Sequence, residues 1–395
     1  MNSSKKILGG VLLTTGSCIG AGMLALPIIT GIAGFFPSLL VLFMAWGFMT
    51  FTALLLLEMN SSFSSDANIV SMAKKSLGRV GKWVSWVLYL FLFYSLLVAY
   101  VSGSGIVFST MFPHFHSQRI LSLIFTLFFG FFVYLGTRPT DLLNRLLMVG
   151  LIVSYFGMIF SGLSKVHGSY LLHAEPKYLL LSLPILVVSF GFHNMIPTLK
   201  TYLDHNIKDM KKVILWGSLL VLLVYLAWMF LVMGVIPFSG KEGIWKIYEQ
   251  KKEASTAISF ALGGSFVAKF AKAFAFFAIV TSFLAQSLSL LHFLADGLQK
   301  KIDARNGKYL VVLTLAPPLF FAFYNPSVFT EALSFAGGFC AVILFGILPI
   351  LMTVKARYQK KIATSYTTWG GKPLLLIAFG FALFIFLQEL IKLFR

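Results

Sequence analysis

Charge is what this chain has least of: 11% of its 395 residues are Asp, Glu, Lys or Arg, where a soluble domain carries about 25%. Acids are the scarcer sign, 13 Asp and Glu against 32 Lys and Arg, for a formal net charge of +19. Its two cysteines, Cys18 and Cys340, lie inside apolar runs, so there is neither a disulfide framework nor a metal-ligand spacing. The alternating segments of ~10 residues that mark a membrane β-barrel are missing. These absences exclude a soluble enzyme, a disulfide scaffold and a β-barrel. What fills the chain is apolar, 58% hydrophobic and 16% aromatic residues, in unbroken runs of roughly 18 or more. Such runs cross a membrane as helices, because each must satisfy its own backbone hydrogen bonds in lipid. The chain therefore reads as an all-α polytopic membrane protein. A nucleic-acid partner would need a solvated basic surface, and these charges sit in loops beside the membrane, so none is expected.

Apolar runs between charged or Pro/Gly/Asn-rich breaks predict eleven spans, at roughly residues 7–30, 34–57, 83–109, 120–137, 142–163, 177–198, 213–235, 264–294, 309–324, 329–353 and 372–393. With a cytoplasmic N-terminus the inner segments hold Lys5 and Lys6; Lys74, Lys75, Arg79 and Lys82; Arg138 and Arg145; Lys200, Lys208, Lys211 and Lys212; Lys300, Lys301, Arg305 and Lys308; and Lys355, Arg357, Lys360, Lys361 and Lys372. That is most of the 32 basic residues, and the excess recurs loop by loop. The positive-inside rule then puts the N-terminus in the cytoplasm and the C-terminus outside. Lys5 and Lys6 before an apolar run, with Ala21 to Ala25 behind it, loosely imitate a cleaved signal peptide, but the run is longer than a signal's apolar core. No soluble domain is expected. The longest stretch between spans, about 236–262, carries Lys241, Glu242, Lys246, Glu249, Lys251, Lys252 and Glu253 and is predicted to hold a short surface helix.

Two spans are weakened in their interiors. In the first, Gly16 to Gly22 reads GSCIGAG with Pro27 close behind, and each glycine costs a helix ~1 kcal/mol relative to alanine. Gly16 and Gly20 also form a GxxxG pair, so close helix packing is an alternative use for them. A phosphate-binding loop is excluded, since no strand precedes the glycines and no Gly-Lys-Ser/Thr follows. In the sixth, Ser189 to Pro197 reads SFGFHNMIP. Five spans separate the two starts, and an odd number inverts the second set of five. Paired Gly/Pro-interrupted spans at matching places point to an inverted-repeat secondary transporter, with its site where the broken helices meet. One transporter domain is predicted: repeat one at about 7–163, repeat two at about 177–353, and an extra helix at about 372–393.

Four stretches, GSCIGAGMLALP from Gly16 to Pro27, TALLLLEMN from Thr52 to Asn60, SFGFHNMIPTL from Ser189 to Leu199 and FLADGL from Phe293 to Leu298, carry a resemblance. Together they resemble the hydroxy and aromatic amino acid permease family, within the amino acid, polyamine and organocation transporter group. The likeness runs from about residue 5 to 393, and TALLLLE is most similar to the tyrosine-specific permeases. The resemblance implies a leucine-transporter-like 5+5 inverted repeat plus one helix, with helices 1 and 6 interrupted. It also implies import of an aromatic amino acid, tyrosine preferred and tryptophan possible, across the bacterial cytoplasmic (inner) membrane. H+ is the implied coupling ion and Na+ the alternative. No cofactor and no obligate protein partner is implied; the partners are the substrate and the lipid bilayer.

A zwitterionic substrate carries opposite charges a few ångströms apart, and a broken helix offers complements to both without a charged side chain. The carboxylate is expected at the backbone N–H groups of Gly20, Ala21 and Gly22. The ammonium is expected at the carbonyls of Gly16 and Ser17, with sixth-span carbonyls near Phe190. Phe190 and Phe192 are candidate walls for the ring, with Tyr94 of the third span opposite. Asn194, Gln286 and Ser282, polar at mid-span depth, are candidate partners for a phenol hydroxyl or indole N–H, and such a partner would reject phenylalanine. Serine in a membrane helix also bonds its own backbone, which is the alternative for Ser282.

No Asp or Glu falls at the middle of a span: Glu58, Asp141 and Asp296 are at cytoplasmic ends, and Glu175, Glu331 and Glu389 near outer ends. A central carboxylate relay is therefore unsupported. His193 lies beside the expected site, while His292 falls near the inner end of the eighth span. His193 is the candidate for proton coupling, with a packing histidine as the alternative. For sodium, the adjacent hydroxyls of Thr281 and Ser282 would face first-span carbonyls. A channel would need polar stripes or repeated filter loops, and a membrane enzyme a cluster of catalytic side chains at one depth. Neither pattern is present.

Overall fold

The computed structural model describes residues 3–63, 67–112, 114, 117–240, 242–300, 302 and 304–393; Lys241 and Lys301 lie outside them. Among the described residues there is no strand. The helices run α1 (Ser3–Cys18), α2 (Ala21–Gly31), α3 (Phe35–Ser61), α4 (Ile69–Met111), α5 (Gln118–Leu135), α6 (Thr137–Gly162), α7 (Gly168–Leu171), α8 (Leu183–Ser189), α9 (Ile196–Tyr202) and α10 (Ile207–Val235). They continue with α11 (Ile244–Glu249), α12 (Ala254–Ala261), α13 (Phe266–Gly297), α14 (Ala304–Tyr324), α15 (Phe329–Phe335), α16 (Leu348–Val354) and α17 (Gly371–Leu393). Wide π-type turns over Ala336–Ile347 carry α15 into α16. Among the described residues ten helices are long and apolar enough to cross a membrane, or up to eleven if Ser4–Cys18 and Gly22–Gly31, bent by 63°, form one span.

Local chemistry explains where helices depart from the sequence reading. α4 begins well before residue 83 because Asn68 caps it, accepting from the Ser71 N–H at 2.8 Å. It then bends at Gly78, whose φ of 80° is open to glycine. The 236–262 stretch holds two short helices rather than one. Lys251 at φ 53° separates them, and the buried Glu253 starts the second by accepting from the N–H groups of Ser255 (2.6 Å) and Thr256 (2.9 Å). Burial pushes the Glu253 carboxyl above its ordinary pKa, against the pull of those bonds.

Contacts sort the loops into two ends. At one, Lys6 pairs with Asp204 and holds that carboxyl below its ordinary pKa. There too Lys200 Nζ donates to the carbonyls of Asn60 (3.1 Å) and Phe63 (2.6 Å), and Lys360 Nζ to that of Lys75 (3.0 Å). Thr137 and His292 share a hydrogen bond of 3.0 Å at this end. Glu58, only 1% exposed, takes Arg357 on both oxygens at 2.6 and 2.5 Å and the Thr368 N–H at 2.7 Å. At the opposite end the Glu175 N–H donates to Ala33 (2.9 Å), Lys272 to Thr110 (3.1 Å), and Lys251 pairs with Glu331. The basic loops thus collect at the first end.

If that end faces the cytoplasm, a cysteine replacing Lys361 should be protected from an impermeant thiol reagent added outside whole cells, and one replacing Lys251 should be labelled. The reverse pattern would invert the topology.

Candidate functional site

The chain breaks its own helices at two places that face each other. α1 ends at Cys18 and α2 starts at Ala21, with Gly20 between them in extended backbone (φ −159°, ψ −160°) and no side chain capping the new helix. α8 ends at Ser189, and Phe190 to Phe192 are non-helical before a short turn, His193–Met195, leads into α9. Pro197 stands in the first turn of α9, where no N–H is needed.

Breaking a helix in lipid orphans carbonyls, each of which costs several kcal/mol unless it finds a donor. α10 supplies two. The single O–H of Tyr225 is shared between the carbonyls of Cys18 and Ser189, 2.8 Å from each, and so ties the ends of the two broken helices together. Trp228 Nε1 donates to the Met23 carbonyl at 2.9 Å, which Pro27, lacking an N–H, leaves open four residues on. Both aromatic side chains are fully buried.

Between the breaks lies a cavity of about 160 Å³. Gly16, Ser17, Gly20 and Gly22 line it from the first break, Ser189 and Asn194 from the second, and Thr281, Ser282, Gln286 and Ser289 from α13. Phe93, Leu96 and Tyr100 of α4 and Phe345 of the π-turn stretch make its apolar walls, and Asn144 and Met148 of α6 complete it. Among the described residues no charged side chain lines it, which leaves helix ends and neutral dipoles to receive a charged ligand. Among the described residues no group of three or more His, Cys, Asp or Glu is placed to hold a metal ion. A second cavity shares Phe93, Asn194 and Ser289 with the first and continues to Asn68, His292 and Asp296 at the basic end.

Most of the residues singled out from sequence meet here, and four do not. Gly16, Ser17, Gly20, Gly22, Asn194, Thr281, Ser282 and Gln286 line the cavity, and Ala21 opens α2 beside it. Tyr94 does not: the wall of α4 repeats at Phe93, Leu96 and Tyr100, and Tyr94, one residue off that face, donates its hydroxyl to Leu313 at 2.8 Å. Phe190 packs edge-on against Tyr225, with centroids 5.1 Å apart, and Phe192 leans on His193. His193 is buried behind the wall rather than in it. Its Nε2 bonds Thr52 Oγ1 at 2.9 Å, and its ring stacks on Phe345 at 4.8 Å and 12°. Thr281 lines the cavity, but its hydroxyl donates to Phe277 of its own helix at 2.8 Å.

Phe93, Tyr100, Phe345, Asn144 and Tyr225 were not among the candidates. The helical spacing of Phe93, Leu96 and Tyr100 was a legible signal, whereas Asn144, between Asp141 and Arg145 at the start of its span, reads as part of a polar helix end. The partners of the broken ends were not legible. Ser189 Oγ, Asn194 Oδ1, Asn144 Oδ1 and Gln286 Oε1 are buried without a hydrogen-bond partner and line one cavity, an arrangement that a polar ligand could satisfy.

Glycine at the first break has a geometric reason. A Cβ on Gly20 would fall inside contact distance of the Ser282 hydroxyl, whereas one on Gly22 would meet the Ser189 hydroxyl at 3.4 Å. A Cβ on Gly16 would meet only the end of the Met148 side chain within 4 Å. No neighbouring backbone presses on either member of the GxxxG pair, unlike Gly337, which lies against the Pro184 carbonyl.

The family model described as the tryptophan/tyrosine permease family matches residues 3–389. The tyrosine-specific transport system 1 of Haemophilus influenzae is 33% identical over 377 residues, covering 94% of this chain and 93% of its own length. Tyrosine-specific transport system 2 of the same organism is 31% identical over 382 residues, covering 94% and 93%. Its tryptophan-specific transport protein is 33% identical over 399 residues, covering 95% and 94%.

Gly20→Val should abolish transport while the protein still inserts into the membrane, and Gly22→Ala should keep most of it, as measured by substrate uptake normalised to membrane content. Undiminished uptake with Gly20→Val would show that the substrate does not approach the backbone there.

Proposed function

The chain belongs to the tryptophan/tyrosine permease family and is a multi-pass transporter rather than an enzyme, and on that footing we propose that it imports an aromatic amino acid, tyrosine first and tryptophan second. The proposed route crosses the bacterial inner membrane by proton symport with alternating access. α1 and α2 then form one interrupted span and residues 176–202 another, in a 5+5 inverted repeat with α17 as the added helix, the N-terminus cytoplasmic and the C-terminus outside.

The observation that carries this reading is the uncharged, aromatic-walled cavity between two broken helices. The substrate carboxylate sits at the N–H groups of residues 20–22, where α2 presents the positive end of its dipole. The ammonium meets the carbonyl end of α1 at Gly16 and Ser17. The ring lies among Phe93, Tyr100 and Phe345. The cavity that leads on to His292 and Asp296 is the cytoplasmic exit.

Coupling runs through His193. A proton gained or lost there changes what the imidazole needs from Thr52, and Phe345, stacked on it, carries the change to the cavity wall. The ligand biases the cycle only through different affinities for the two states. Sodium at Thr281 and Ser282 is the alternative reading; the Thr281 hydroxyl donates its hydrogen to the Phe277 carbonyl, which leaves its oxygen lone pairs for a cation.

Two measurements test the proposal. Competition of labelled tyrosine uptake by a panel of unlabelled amino acids should rank tyrosine first and tryptophan second; strongest competition by leucine, serine or arginine would refute the substrate class. His193→Gln should keep counterflow in proteoliposomes yet lose accumulation driven by an imposed pH gradient. Unimpaired gradient-driven accumulation would remove His193 from the coupling path, and dependence on sodium would move coupling to Thr281 and Ser282.

A further inference from the structure

We infer that Asn144 of α6 and Gln286 of α13 form a carboxamide pair that reads the hydrogen-bond donor on the substrate's ring, selecting a phenol or indole over a bare phenyl. The inference rests on the reading of the cavity as the aromatic amino acid site.

The register of α6 against α13 brings the two together. A Cβ on Gly150 would meet Phe277 and one on Gly157 would meet Phe270, seven residues on in one helix and seven back in the other, so the helices are antiparallel. Six residues further, the same register puts Asn144 level with Phe283, between Ser282 and Gln286. The hydrogen bond between Thr137 and His292 extends it to the basic end.

Depth places this pair on the basic side of Gly20 and Ser282. A Cβ on Gly20 would meet the Ser282 hydroxyl and one on Gly16 the tip of the Met148 side chain, and because α1 runs away from the basic end, Gly16 lies at about the depth of Gln286. Gln286 is one turn of α13 beyond Ser282 towards the basic end, and Asn144 one turn of α6 beyond Met148 in the same direction. One turn is about 5.4 Å, on the order of the reach from an amino acid's α-carbon to the far side of its ring.

Chemistry gives the pair its role. Asn144 Oδ1 and Gln286 Oε1 are both buried and lack a partner, and both side chains line the cavity between the breaks. Neither lines the neighbouring cavity that opens to the basic end, whereas Asn194 lines both. A carboxamide offers both an acceptor and a donor, so two of them can accept from a tyrosine O–H or an indole N–H. Phenylalanine would enter the same slot and leave both oxygens unpaired.

The test uses the whole chain in proteoliposomes, with counterflow of labelled tyrosine inhibited by tyrosine, O-methyltyrosine, phenylalanine, tryptophan and 1-methyltryptophan. The wild type should take tyrosine more than ~30-fold more tightly than phenylalanine and should reject both methylated analogues, which cannot donate. Asn144→Leu and Gln286→Met should each bring the tyrosine and phenylalanine affinities to within about fivefold by weakening tyrosine alone. A wild type that accepts O-methyltyrosine as well as tyrosine overturns the inference without needing a folded variant. So does a parallel loss of tyrosine and phenylalanine in both variants. A wild type that exchanges neither tyrosine nor tryptophan overturns the transport reading itself, and this inference with it.

Discussion

One hydroxyl holds the centre of this protein together. Tyr225 spans the carbonyl ends of α1 and α8, two buried acceptors that would be costly without such a donor. Trp228 does the same for the carbonyl that Pro27 leaves open. Both sit on one face of α10, so that single unbroken helix stabilises the interruptions of two others. Everything specific about the site follows from the interruptions: exposed N–H groups at Gly20 to Gly22, carbonyls at Gly16 and Ser17, and room between them that an unbroken helix would fill.

The surrounding structure is arranged to leave that room uncharged. Ionic side chains are spent at the ends, where Glu58, Arg357 and Thr368 lock the last connection against α3, and Lys251 joins the opposite loop to Glu331. In a low-dielectric interior a free charge would be costly, whereas the partial charges of helix termini come with the backbone. Of the buried carboxamide oxygens without a partner, those of Asn144, Asn194 and Gln286 share this cavity, the location that suits them to the proposed ligand recognition.

Much of this was legible in the sequence and some was not, for a physical reason. Glycine and proline announce a break because they act on their own helix, so the cavity-facing residues of the first span could be named from GSCIGAG. Hydropathy gave eleven spans, against ten long apolar helices among the described residues, or eleven with α1 and α2 taken as one. What lay beyond reach were relations between helices. Nothing in VYLAW, Val224 to Trp228, says that Tyr225 will satisfy Cys18, and among 42 phenylalanines composition cannot separate Phe345, in the wall, from Phe190, which packs on Tyr225. His193 shows the boundary well. Its nearness in sequence to the break was readable, but its position behind Phe345 depends on π-type turns some 150 residues away that no local pattern foretells.

In the proposed function the two helix breaks, pinned by Tyr225, hold the substrate through their backbone. The most direct measurement is a structure of the protein with tyrosine bound. The carboxylate should lie within hydrogen-bonding distance of the peptide N–H groups of residues 20–22 and the ring between Phe93, Tyr100 and Phe345. Tyrosine bound instead beside His292 and Asp296, with the breaks unoccupied, would contradict that placement.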